Sequence, residues 1–307
     1  MQSKRRESCL VFGRIEKPEV GKVSGQRAAI TAIDHIVVLV SELDAAAAAY
    51  QTLLGRAPAW RGSDDGSQNV LFTLSNGSLE LMAPVGVGGN AERIRTVIKL
   101  QGEGLASLCF RVDDAARMQR RLERVALRPD PVADVIGRDS LTGATLAWKR
   151  TRAATETTRG VRLFFLELGS ERPQSAPVAP APITGIDHVV ISTSDPEGAA
   201  ALYGARLGLD LALDRSHQEW GRMMFFRCGD LVVELVHRPV AGSDATHDKL
   251  WGIGWRVDDV EAARARLIDA GLSVTEVRNG RKPGTRVVTV RSGTYQIPTL
   301  LVGSSVS

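Results

Sequence analysis

The chain has 307 residues, 43% of them apolar, with 39 basic against 35 acidic side chains. That supplies apolar material for two sizeable cores. No run reaches the ~18 apolar residues that would cross a bilayer, and three scattered cysteines, Cys9, Cys109 and Cys228, exclude a disulfide framework and a clustered zinc site.

The basic excess is local. Lys4, Arg5, Arg6, Arg14, Lys17, Lys22 and Arg27 face only Glu7, Glu16 and Glu19 within residues 1–28, which accounts for the whole net charge of +4. The rest is neutral, so neither nucleic acid nor a membrane is expected as partner. Residues 1–29 read as a disordered basic tail. The thiols and the absence of an apolar leader segment fit a cytoplasmic protein.

The structured chain opens on Ile33-Asp34-His35-Ile36-Val37. A Ser/Asp-containing turn follows, and a helix is predicted over Ala45–Leu54, stopped by Gly55. A hairpin comes next, Asn69–Leu74 and Leu79–Met82 joined at Asn76-Gly77. Its second strand carries one carboxylate, Glu80, on the same face as Met82 and opposite to Leu79 and Leu81. Along the opening strand, alternation groups His35 with Ile33, Val37 and Leu39. Phe110-Arg111-Val112-Asp113-Asp114 starts another strand–helix–strands unit, with a Thr-rich loop at Arg150–Arg159 and a closing strand containing Phe165-Leu166-Glu167-Leu168.

Residues 171–184 hold Pro173, Pro177, Pro180 and Pro182 in a polar background. This predicts a stiff extended linker without core residues, between a first domain at 30–170 and a second at 185–307. Beyond it the whole pattern recurs. Ile186-Asp187-His188-Val189-Val190 leads to a helix over Glu197–Leu207 and Gly208. The hairpin Met223–Arg227/Leu231–His237 carries Glu234, and Trp255-Arg256-Val257-Asp258-Asp259 repeats the later motif. The segment Arg278–Arg286 places Arg281, Lys282 and Arg286 around glycines, a pattern suited to clamping an anionic substrate. The alternative is a solvated loop. Trp220, Met223, Met224, Phe225 and Phe226 with Trp251 and Trp255 make the second half the more aromatic, as an apolar pocket or as core.

With its doubled Asp-His strand and its later Glu-Leu strand, the sequence resembles the vicinal oxygen chelate superfamily of glyoxalases, methylmalonyl-CoA epimerases, extradiol dioxygenases and bleomycin or fosfomycin resistance proteins. The resemblance covers Ile30 to Val302. It implies an α+β fold of four βαβββ modules pairing into two half-open, cupped barrel domains. It further implies metal ligands at the first and last strands of each module: His35 and Glu80, then Glu167 with Ser107 at the histidine place, then His188 and Glu234. The fourth module has Gly252 at the histidine place and Thr299 or Leu301 at the carboxylate place.

If neighbouring modules pair, the fuller site is His35, Glu80 and Glu167, with Ser107 or water completing it. If the first pairs with the fourth, it is Glu167, His188 and Glu234. The two-His-one-carboxylate set of the dioxygenases would need His35 and His188 together. The duplicated carboxylates could equally pair with Arg111 and Arg256.

The resemblance implies a divalent metal (Ni, Zn, Mn or Fe(II)) and a glyoxalase-like lyase or isomerase acting on a small carbonyl or enolisable substrate. Glu167 or Glu80 would be its general base, with Arg281, Lys282, Arg286 and Ser107 on the substrate. The alternatives are an Fe(II) ring-cleaving dioxygenase and a ligand-binding or resistance protein without catalysis. Beside the small molecule, a second copy of the chain is the one partner left open.

Overall fold

The computed structural model describes residues 29–218, 221–237 and 247–304. The tail expected at residues 1–28, with Cys9, and the aromatic Trp220 lie outside them. The first half runs β1 (Ile30–Leu39), α1 (Leu43–Leu54), β2 (Trp60–Asp64), β3 (Ser67–Leu74), β4 (Gly77–Pro84), α2 (Gly89–Gln101), β5 (Gly104–Val112), α3 (Ala115–Arg124), β6 (Ala133–Arg138), β7 (Thr145–Arg152) and β8 (Arg162–Leu168). The second runs β9 (Gly185–Thr193), α4 (Pro196–Ala200) continuing as a π-helical turn over Ala201–Arg206, β10 (Asp210–His217), β11 (Gly221–Cys228), β12 (Leu231–His237), β13 (Lys249–Arg256), α5 (Val260–Asp269), β14 (Arg278–Asn279), β15 (Thr285–Val290) and β16 (Thr299–Ser304).

Each half is one eight-stranded sheet, ordered β2-β3-β4-β1-β5-β8-β7-β6 and β10-β11-β12-β9-β13-β16-β15-β14. Neighbouring modules therefore pair, joined by the antiparallel contacts β1–β5 and β9–β13. The pairing of the first module with the fourth does not occur.

The inner strands are buried on both faces, which is why β1 and β9 read as unbroken apolar runs rather than as alternating ones. One face of β1 sends Ile36, Val38 and Val40 into the core beneath the helices. The other sends Val37 and Leu39 into a smaller cluster inside the cup. Ile33 packs with the first group rather than with Val37, because a bulge at Asp34 resets the alternation just before His35.

Local signals explain the ends of α1 and α3. Gly55 takes the left-handed conformation (φ 66°) and its N–H caps α1 at the Gln51 carbonyl. Asp114 caps α3 by accepting from Arg117 N–H. The unforeseen element is α2, which lays Ile94, Val97 and Ile98 against Val37, Leu39 and Cys109 inside the first cup. The first sheet also closes on itself: Ser140 N–H, just past β6, donates to the Arg61 carbonyl of β2 at 2.7 Å. In the second sheet β10, exposed along its whole length, hydrogen-bonds as a strand to β11 alone.

The expected free linker is packed. Ile183 is fully buried, Ser175 Oγ accepts from Thr73 N–H at 2.9 Å, and Arg56 binds the carbonyls of Ile183 and Ser175. Proline stiffness leaves backbone groups available, and the α1–β2 corner satisfies them. The halves are further tied by arginines on helix C-termini. Arg206 donates to Val125 and Ala126 carbonyls after α3, and Arg266 to Thr52 and Leu53 carbonyls at the end of α1. No helix among the described residues is long and apolar enough to cross a membrane.

Candidate functional site

The strand registers put a histidine and a glutamate side by side in each cup. Parallel pairing of β1 with β4 sets Val37 opposite Glu80, and pairing of β9 with β12 sets Val190 opposite Glu234. In both halves the glutamate lies level with the residue two beyond the histidine, so the two side chains share the concave face.

In the first cup the pair is closed. His35 Nε2 lies 3.2 Å from Glu80 Oε2, its Nδ1 lies 2.7 Å from Asp34 Oδ1, and Asn69 Nδ2 donates to Glu80 Oε1 at 2.5 Å. Asp34 is fully buried and accepts from Arg111 (Nη2, 3.0 Å) and from Arg172 (Nε, 3.1 Å; Nη2, 2.5 Å). Burial disfavours an ionised Asp34, but His35 and Arg172 outweigh it and hold the carboxyl far below the usual range. Burial likewise disfavours the imidazolium, yet Cys109, Asp34 and Glu80 together raise His35 well above its ordinary value. Glu80 is lowered: burial opposes ionisation, and His35, Asn69 and Arg172 win. His35 is thus a cation locked between two anions. Arg111 pairs with Asp34, not with Glu80.

In the second cup the pair is open. His188 Nδ1 is held by Asp187 Oδ2 at 2.8 Å, which turns Nε2 toward the cup. Glu234 Oε2 lies 3.7 Å from that nitrogen, beyond a hydrogen bond. Its side chain is 11% exposed, and its one ion-pair contact among the described residues is this one with His188. Val190, Met223, Phe225, Val236 and Trp251 form the apolar wall. Arg256 pairs with Asp187 and Asp230.

The basic segment reaches this cup in part. Arg281 Nη1 contacts Met223 Sδ at 3.3 Å on the wall, and Lys282 is close enough to help lower the Asp187 carboxyl. There burial opposes ionisation, and His188, Arg256 and Lys282 overcome it. Arg286 is turned away: it pairs with Glu261 of α5 at 2.9 Å, on the helix side of the sheet.

Glu167 is not where the resemblance put it. On β8, Phe164, Leu166 and Leu168 face the cup while Leu163 and Phe165 face the helix core, and Glu167 shares that second face. Its Oε2 accepts from Ala115 N–H at 2.8 Å, at the start of α3, where the helix dipole favours an anion. The residue at the place of Glu80 is Phe164, because Cys109 of β5 pairs with Phe164 as Val37 pairs with Glu80. In the fourth module Gly254 pairs with Leu300, which makes Leu300 the counterpart, in place of Thr299 or Leu301. Ser107 is buried on β5 opposite Val37, one strand away from the histidine it was matched to.

Each cup therefore keeps one module's His–Glu pair and has apolar or small residues at the related places. A catalytic divalent ion needs about three protein ligands. No three His, Cys, Asp or Glu side chains are placed to hold a metal ion together among the described residues. The set His35, Glu80, Glu167 is not assembled, nor is Glu167, His188, Glu234. His35 and His188 lie in different sheets, so the two-histidine dioxygenase set is not assembled either. These residues do not fit the implied metal.

Sequence reasoning missed Arg172, since nothing local marks a residue of the interdomain segment as the partner of a buried carboxylate. Cys109 was noticed only as a thiol. Its register opposite His35 could have been found by pairing β1 with β5 about the repeat's two-fold.

Comparison with known proteins gives two family models, a glyoxalase-like domain over residues 33–203 and the glyoxalase/bleomycin resistance protein/dioxygenase superfamily over 185–293. An ethylmalonyl-CoA/methylmalonyl-CoA epimerase of Cereibacter sphaeroides is 31% identical over 98 residues, 31% of this chain and 72% of that protein. Among solved structures, a variant of 4-hydroxymandelate synthase from Streptomyces coelicolor is similar (TM-score 0.64, 14% identity, 90% of this chain and 93% of that one). So is the Mn(II)-bound glyoxalase from Novosphingobium aromaticivorans (0.62, 13%, 90% and 83%). Both show the fold alone. The first model spans more than half of the chain, and with it the pairing of βαβββ modules into cups is accounted for: the chain belongs to the glyoxalase-like domain family.

Proposed function

We propose that the second cup is the working site and that it performs proton transfer at a carbon next to a carbonyl in a small, anionic, enolisable substrate. The observation that carries this is Glu234, a carboxylate 11% exposed whose one ion-pair contact among the described residues, His188, stands at 3.7 Å, too far for a hydrogen bond. A buried carboxylate without donors costs several kcal/mol unless a ligand completes it. Glu80, its counterpart, has both oxygens engaged.

In this reading Glu234 takes the proton from the carbon and the electron pair moves onto the carbonyl oxygen as an enolate. His188, oriented by Asp187, faces that oxygen with Nε2. Arg281 and Lys282 hold the substrate's anionic group at the rim. Return of the proton to either face gives an isomer or epimer. The relative named an epimerase supports this class, and the apolar wall of Met223, Phe225 and Trp251 suits the rest of the substrate. No step is assigned to a metal, since each cup offers two ligands.

The test is deuterium uptake from D2O into ethylmalonyl-CoA, methylmalonyl-CoA and a panel of 2-oxo acids, followed by NMR. Wild-type protein should exchange at least one of them and Glu234→Gln should not. Exchange that survives Glu234→Gln and disappears in Glu80→Gln would overturn the assignment. A second reading, sequestration of the same kind of ligand without turnover, is favoured by the vacant ligand places at Gly252 and Leu300; it would show as Glu234-dependent binding without exchange.

A further inference from the structure

The two cups are copies, yet one His–Glu pair is closed at 3.2 Å and the other open at 3.7 Å. One difference between them lies in the strand across from the histidine. Antiparallel pairing sets Cys109 of β5 opposite His35 and Gly254 of β13 opposite His188. The duplication that relates the two halves makes these the same position. In the first cup the buried side chain of Cys109 stands directly across from His35 and helps raise the imidazole above its ordinary value. In the second there is no side chain, and the ring of His188 settles into the gap. A Cβ built on Gly254 would fall 2.7 Å from Nε2 and closer still to Cε1 and Nδ1, inside the ring's van der Waals envelope.

We propose that this position sets the state of the pair: a side chain there props the imidazole forward onto the glutamate, and glycine lets it lie back so that the glutamate is free for a ligand. Gly254 is in that sense a positioning residue for His188 and Glu234. The His188 ring lies against the bare backbone of β13, with Asp187 holding its rear nitrogen. The His35 ring has the Cys109 side chain across from it and meets Glu80, while Asp34, Arg111, Arg172 and Asn69 satisfy the remaining polar atoms. The inference rests on the second cup being the working one only for its functional consequence. The geometry it concerns can be read without turnover.

The experiment is acylation by diethyl pyrocarbonate on the full chain at neutral pH, with each histidine resolved by mass spectrometry. It would be run on wild type, Gly254→Ala, Cys109→Gly and Cys109→Ser. An imidazole held in a closed pair should react about tenfold more slowly than a free one, the worth of one charge-assisted hydrogen bond. In wild type His188 should therefore outpace His35. Gly254→Ala should slow His188 toward the His35 rate, Cys109→Gly should release His35, and Cys109→Ser should keep it protected. Crystal structures of the first two variants should show the 3.7 Å separation shortened and the 3.2 Å one lengthened.

Equal rates for the two histidines in wild type would overturn the proposal. So would a Gly254→Ala protein with His188 as reactive as before, or a Cys109→Gly protein with His35 still protected. Should Gly254→Ala fail to fold by circular dichroism, the Cys109 variants decide the matter alone. Absent deuterium exchange would count against the proposed chemistry and leave these outcomes untouched.

Discussion

Replacing Arg172 by alanine tests whether the interdomain segment is a structural part of the first cup. Its guanidinium is 11% exposed and reaches a fully buried Asp34 through Nε at 3.1 Å and Nη2 at 2.5 Å. Breaking a buried ion pair costs about 3–5 kcal/mol, because the remaining charge stays desolvated. Arg111 and His35 remain on Asp34, and Arg111 is 44% exposed and screened, so the low end applies: about 3 kcal/mol. The assay is urea denaturation followed by circular dichroism, with the transitions of the two halves fitted separately. Arg172→Ala, Asp34→Asn and the double variant close a thermodynamic cycle, with an expected coupling of about 2 kcal/mol. A loss below about 0.5 kcal/mol, the range of ordinary surface substitutions, would refute the burial argument.

The same network predicts a pH window for stability. His35 is raised well above 6.5, so its contribution is whole below that value and is lost as pH climbs through the folded-state value; the melting temperature of the first half should fall on the alkaline side, and His35→Asn should flatten that fall. Asp34 and Glu80 are lowered, so their contribution is present above the ordinary carboxylate range and fades as pH drops well below 4, measurable by acid titration of circular dichroism. Gly55→Ala should cost about 1–2 kcal/mol, since φ is 66° and the new Cβ would stand 3.2 Å from the Pro182 backbone; an unchanged denaturation midpoint would contradict it. Arg281→Ala should weaken binding of an anionic ligand to the second cup about tenfold while Arg286→Ala leaves it within twofold, by calorimetry with whichever substrate exchanges; equal effects would deny the separation of the two arginines.

How far the residues alone carried differs from element to element. The helix over α1 and its stop at Gly55 were readable because a left-handed cap and an apolar period are local properties. The β3–β4 hairpin was readable from two β-rich runs around a short turn, although the turn falls on Ser75-Asn76 and not on the expected Asn76-Gly77, since Gly77 already pairs with Leu74 in β4. Alternation placed Glu80 with Met82, and β4 keeps that face. On β1 the same rule failed at Ile33, where the bulge at Asp34 inserts a residue that no pattern announces. α2 was missed because its apolar residues, Ile94, Val97 and Ile98, sit among charges and acquire an apolar face only by lying in the cup.

Glu167 shows the limit most clearly. Leu166-Glu167-Leu168 repeats Leu79-Glu80-Leu81 and matches Val233-Glu234-Leu235 in type, yet its register sends the carboxylate to α3. Strand residues alternate with a period of two, so a slip by an odd number of residues moves a side chain to the opposite face, and register is set by the partner strand.

The sequence by itself determined the duplication, the four strand–helix–strands modules and the presence of one histidine and one glutamate in the first and third, because these depend on local period, turn chemistry and repetition. Tertiary structure alone decided which modules pair, that Phe164 and Leu300 stand where further carboxylates were sought, and that Arg172 reaches back to Asp34. It also decided that Cys109 backs one histidine and bare Gly254 the other. Those outcomes depend on long-range register and on what lies across the sheet, where a shift of one residue or one missing Cβ separates a closed ion pair from an open one.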